Sequence, residues 1–115
     1  MKLNKNINQI IDCIKDKKGT DIVILDIRGL SSLTDYFIIC TSDSDPKTRA
    51  IASHIKKDLS KKKKKPIQIE GLDHLDWVLM DYFDTVVHIF KKELREFYNI
   101  ERLWADAKVM KLKND

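Results

Sequence analysis

The sequence predicts an α+β domain: a single mixed sheet of about five strands with helices packed on one face. Three observations lead there. Helix-period and strand-period stretches follow one another in the order α β β α β β β α. The connector between the first two strands is too short for a helical crossover, so that pair is antiparallel. Residues 77–90 (WVLMDYFDTVVHIF) read as a hairpin, because two runs rich in β-branched and aromatic residues flank the two-residue turn Phe83-Asp84.

The elements follow in order. Leu3, Ile7, Ile10, Ile11 and Ile14 form one stripe of an amphipathic helix, with Lys15, Lys17 and Lys18 near its end and Gly19 just past it. Residues 21–28 (DIVILDIR) are apolar almost throughout, as in a strand buried on both faces. Residues 29–34 connect it to a second strand at 35–41. Asp45 is placed to cap the next helix and Pro46 suits its first turn. That helix spans about 47–59 with Ile51, Ile55 and Leu59 inward and His54 at the boundary. Residues 66–70 (PIQIE) make a short strand with Ile67 and Ile69 on one face, and 71–76 lead into the hairpin. Residues 91–98 predict a helix with Leu94, Phe97 and Tyr98 on one side. Asn99 punctuates it, and 100–107 add another turn or two. The domain spans 1–115, with a core at about 3–107 and a polar, frayed tail at 108–115.

Composition narrows the functions. Hydrophobic content of 43% and charged content of 35% fit a soluble globular domain. No apolar run is long enough to span a bilayer, and the interrupted N-terminus lacks a secretory apolar core, which points to the cytoplasm. Cys13 and Cys40 fit apolar faces as free thiols. The net charge of +4 misleads: without Lys61, Lys62, Lys63, Lys64 and Lys65 it is 4 − 5 = −1. The tract reads first as a solvated loop and second as an RNA contact.

Enzyme signatures are largely missing. The sequence has no glycine-rich phosphate loop, no nucleophile elbow and no clustered metal ligands. A metal-dependent nucleotidyltransferase would pair acids two residues apart on a strand, because two metals need bridging carboxylates. Gly29, Ser31 and Ser32 do precede a strand that begins with Asp35, but Tyr36, Phe37 and Ile38 follow it. Asp26 and Asp81 lie on other strands. No catalytic residue, metal or cofactor is expected.

The hairpin has two unlike faces. A two-residue turn pairs Tyr82 with Thr85, Met80 with Val87 and Val78 with Ile89, an apolar core side. Trp77, Leu79 and Asp81 lie opposite Phe90, His88 and Val86. An acid and an imidazole among large apolar groups fit neither plain core nor plain surface. Two readings remain open: a docking surface, or a second core layer with Asp81 hydrogen-bonded to His88 at its edge.

The motifs DIRGLSSLTDYFIICT (26–41), WVLMDYFD (77–84), VVHIF (86–90) and REFYNIERLWADA (95–107) resemble the ribosomal silencing factor family, also called Iojap. The resemblance runs from residue 21 to 107. It implies a nucleotidyltransferase-like α/β topology without catalytic acids, and no enzymatic activity. It also implies binding to the large ribosomal subunit through ribosomal protein L-fourteen (uL-fourteen). That contact would block joining of the small subunit and repress translation, with a role in large-subunit assembly in organellar relatives. By this resemblance Trp77, Leu79 and Asp81 centre the protein contact, with His88 and Phe90 on the paired strand; Tyr82 belongs to the same motif but alternates to the other face. Monomer and homodimer both remain open. Two features depart from the family pattern: Phe83 stands where glycine is usual, and the 61–65 tract replaces a less basic loop. A metal-dependent nucleotidyltransferase and a small RNA-binding protein are the alternative functions.

Overall fold

Spaced isoleucines set the first layer. The computed structural model of the chain describes residues 3–113. Helix α1 (Lys5–Asp16) starts at Asn4, whose side-chain oxygen accepts the Ile7 N–H at 2.8 Å, and buries Ile7, Ile10, Ile11, Cys13 and Ile14. Lys18, at φ 65°, supplies the left-handed residue that ends it. Gly19 is needed for a different reason: a Cβ there would lie 2.4 Å from Ile14 Cγ2.

Strands β1 (Thr20–Asp26) and β2 (Tyr36–Ser42) pair antiparallel as expected, and both are buried over most of their length. Helix α2 (Asp45–Ser60) follows. Its cap is Ser44 rather than Asp45, because the Ser44 hydroxyl accepts the Lys47 N–H while Asp45 is already helical. Strands β3 (Gln68–Glu70), β4 (Trp77–Asp81) and β5 (Thr85–Lys91) come next. β4 and β5 take the expected register, Met80 opposite Val87 and Leu79 opposite His88. Ile67 does not join Ile69 against the core. It lies ahead of β3, 63% exposed, and its N–H donates to Asp81 O at 2.7 Å.

Helices α3 (Lys92–Tyr98) and α4 (Ile100–Leu103) meet at Asn99, in the left-handed conformation at φ 42°. Phe97 and Tyr98 are exposed, whereas Leu94, grouped with them on one side of the helix, packs inward. The expected frayed tail is partly a strand: β6 (Lys108–Lys111) pairs antiparallel with β1 at the sheet edge.

The sheet has six strands, one more than expected, in the order β3-β4-β5-β2-β1-β6, mixed because β2 and β5 run parallel. Helices α1 and α2 cover one face over Ile24, Ile38, Val78, Met80, Val87 and Ile89. The other face is not bare. Val23, Leu25, Ile27, Ile39 and Phe90 pack with Ile100 of α4, and Leu94 and Trp104 close over them. Helices therefore contact both faces, and the second is covered only over its central strands.

Candidate functional site

The partly covered face offers a surface where β4 runs beyond the shelter of α3 and α4. Trp77, Leu79 and Asp81 alternate onto it and are all half-buried. Glu70 and Gln68 of β3 sit opposite Leu79 and Asp81 on the same face, and both are exposed. The surface is thus an apolar strip rimmed by two acids.

Aromatic rings pack around Trp77 at the head of this strip. Trp77 stacks on Phe90 with centroids 4.8 Å apart and meets Tyr98 at 5.0 Å. Tyr98 meets Phe97 edge-on at 5.1 Å. Deeper in, Phe37 contacts His88 at 4.6 Å and Trp104 at 5.5 Å. Such pairs add stability beyond the area they bury. Phe97, 78% exposed, and Tyr98, 45% exposed, extend the apolar strip outward from Trp77. Sequence reasoning grouped these two with Leu94 on one side of the helix. Their adjacency was the available signal, since neighbours in a helix point about 100° apart.

Beneath the strip the second core layer is real. His88 is 4% exposed and Phe90 fully buried, so both back the surface from below. Asp81 and His88 do not bond to each other. Asp81 Oδ1 accepts the Phe83 N–H at 2.9 Å, while Trp77 Nε1–H donates to His88 Nδ1 at 3.1 Å. That bond requires a neutral imidazole with its proton on Nε2. Burial enforces the same state, pushing the His88 pKa down to about 4. Tyr82 lies on the opposite face against the α1/α2 core, where burial raises its phenol to about 12.

The acids weighed for catalysis do not converge. Asp26 is held by Arg28 at 2.7 and 3.0 Å, which keeps its carboxyl below the usual range. Strands β5 and β2 separate it from Asp81. Among the described residues no three His, Cys, Asp or Glu side chains cluster as a metal site, and no helix is long and apolar enough to cross a membrane. Cys13 and Cys40 are buried free thiols.

The lysine tract lies at the same end of the sheet as the hairpin turn. It is exposed, yet its backbone is ordered by the end of α2: Lys63 N–H donates to Ser60 O, Lys64 N–H donates to Leu59 O, and Lys63 sits at φ 62°. This is the hydrogen-bonded helix terminus that normally uses glycine.

Comparison with known proteins agrees with this architecture. A family model described as ribosomal silencing factor during starvation matches residues 1–115. The ribosomal silencing factor RsfS of Bacillus subtilis is 45% identical over 92 residues, covering 80% of this chain and 78% of that protein. A mouse protein named for mitochondrial assembly of the ribosomal large subunit is 28% identical, covering 87% of this chain and 45% of its own length. A crystal structure of a Chromobacterium violaceum protein superposes with a TM-score of 0.86 at 33% identity, over 91% of this chain and 88% of that one. A family match along the whole chain, joined to a shared fold, leaves one assignment: the chain belongs to the ribosomal silencing factor family.

Proposed function

We propose that this protein binds the large ribosomal subunit through ribosomal protein L-fourteen and keeps the small subunit from joining, so that translation is repressed. Family membership supports a ribosomal role, and the half-open strip of Trp77, Leu79, Tyr98 and Phe97 is the observation that carries the docking site. A rigid aromatic beside a smaller apolar group is the composition enriched at interface hot spots. Asp81 and Glu70 give the rim a sign, so the partner surface is basic, and their pairing sets orientation more than raw affinity. Blocking is steric and needs no cofactor. The printed name of the mouse relative supports a second role in assembling the large subunit. The 61–65 lysine tract supplies a further contact, to ribosomal RNA beside the docked protein.

Sedimentation with separated ribosomal subunits tests this. The protein should travel with the large subunit and reduce the yield of joined ribosomes. Trp77→Ala should weaken that binding by at least about 2 kcal/mol, the hot-spot threshold. Co-sedimentation at full strength by a folded Trp77→Ala variant would move the docking site elsewhere.

A further inference from the structure

The hairpin turn and the lysine tract are neighbours in space. Phe83 in the hairpin turn and Lys64 in the lysine tract line one cleft of 190 Å³, together with Asn6, Tyr82, Asp84 and Thr85. Phe83 is held at φ 76° and is 74% exposed. That backbone conformation suits glycine and penalises a bulky side chain, and the ring gains little burial in return. Tyr82 Oη and Thr85 Oγ1 are themselves sealed from solvent, so the groups the cleft offers a ligand are the Phe83 ring, Lys64, Asn6 and Asp84. The hydrogen-bonded end of α2 places Lys64 at the cleft and holds its exposed lysine neighbours in a defined turn.

We propose that this cleft and the lysine tract form a binding site for single-stranded RNA, in which a base stacks on Phe83 and the phosphate backbone runs along Lys61, Lys62, Lys63, Lys64 and Lys65. An exposed aromatic beside a cationic track is the arrangement by which proteins hold unpaired nucleotides. The Asp84 carboxylate repels phosphate and accepts from a base amino group, which orients the strand with its base in the cleft and its backbone on the lysines. RNA is favoured over an anionic membrane because the family works on the ribosome. The site deepens the RNA contact proposed above and rests on it; it does not depend on the Trp77 strip, whose side chains lie on the other face of β4 from the cleft-lining Tyr82.

Fluorescence anisotropy with a labelled unstructured oligoribonucleotide of about ten residues, within the site sizes usual for such proteins, tests it. The wild type should bind, with affinity falling linearly in log–log terms as salt rises. Changing all five tract lysines to Gln should flatten that slope. Phe83→Gly, which relaxes the turn, should weaken binding roughly tenfold, the order of one lost base stack, while leaving the slope intact. Trp77→Ala should bind RNA normally while losing the large subunit. If Phe83→Gly binds as the wild type does, the tract is a plain electrostatic contact and the stacking site is wrong. Absence of RNA binding by the wild type, or equal binding to anionic phospholipid vesicles, overturns it too. Loss of RNA binding in Trp77→Ala would place the RNA on the docking face instead. Subunit sedimentation of the same variants reports separately on the docking reading.

Discussion

On one face of the sheet Ile24, Ile38, Met80 and Val87 meet Ile7, Ile14, Ile51 and Ile55, and every one of these is fully buried. On the other, Phe37, His88 and Phe90 are layered under Trp77 and Trp104, and the layer runs out on β4, short of the β3 edge. The first face uses branched aliphatics on two long helices, which fill space without polar atoms. The second uses rings, one imidazole and two short helices of seven and four residues. A short cover over a wide sheet leaves a margin, and the margin is where Trp77, Leu79 and Asp81 stand. The difference teaches that a docking strip is made by stopping a core layer early, so the same tryptophan is at once wall and surface.

The largest effect separates the faces by charge. Val87 is fully buried beneath α1 and α2. Val87→Asp should unfold the domain, since an unpaired buried carboxylate costs several kcal/mol against a total of roughly 5–15 kcal/mol. Leu79→Asp, on the same hairpin but half-buried at the margin, should stay folded and lose subunit binding. Thermal melting together with subunit sedimentation reads both. Equal melting losses would mean that the second face is as closed as the first.

The next effect belongs to the second face alone. His88 has a native pKa of about 4 against an ordinary 6.5 because burial disfavours the imidazolium. Above pH 6.5 both folded and unfolded chains carry it neutral, and its stabilising effect is complete. As pH falls toward 4 the unfolded chain takes the proton and the native one does not, so stability drops. The loss is on the order of 3 kcal/mol across that window, from about 1.4 kcal/mol per pKa unit. Asp26 and Asp58, whose carboxyls are held below their usual range, lose their contributions at lower pH and leave the window clear. Denaturant titrations at pH 7, 5.5 and 4.5 should show this slope in the wild type, and His88→Gln should flatten most of it. An unchanged slope in His88→Gln would show that the imidazole is not sealed beneath Trp77.

What the sequence revealed divides along the same line. The aliphatic face was legible because isoleucines at helical spacing and alternating strand residues repeat often enough to fix period and register. The hairpin register followed from a two-residue turn, and it was right despite Phe83 in a position that suits glycine. The second face was legible only as a puzzle, Asp81 and His88 among aromatics. Its cover, α3 and α4, carries too few residues for a period to show, and Phe97 and Tyr98 look like core residues by type alone. β6 (Lys108–Lys111) was hidden because its lysines read as a tail, whereas charge on an edge strand is how sheets avoid pairing with other chains. The swapped bond partners of Asp81 and His88 depend on where an indole N–H and a turn amide fall in space. No linear pattern carries that.

The smallest effect is also the most specific test of the margin. Asp81 is half-buried, and its Oδ1 accepts the Phe83 N–H at 2.9 Å. Asparagine keeps an acceptor there, so Asp81→Asn should shift stability by no more than about 0.5 kcal/mol, as for ordinary surface substitutions. It removes the charge offered to a basic partner, so subunit binding should weaken modestly and become less sensitive to salt. Asp81→Lys adds like-charge repulsion and should weaken binding further. It also loses the turn acceptor, so Asp81→Ala is the control that isolates that bond. The order of affinities should be wild type, then Asn and Ala together, then Lys, measured against the large subunit at two salt concentrations. If Ala binds far worse than Asn, the carboxylate acts by shaping the turn and not by meeting the partner. If Lys binds as well as the wild type, the acidic rim faces solvent in the complex and the strip is engaged from its Tyr98 side.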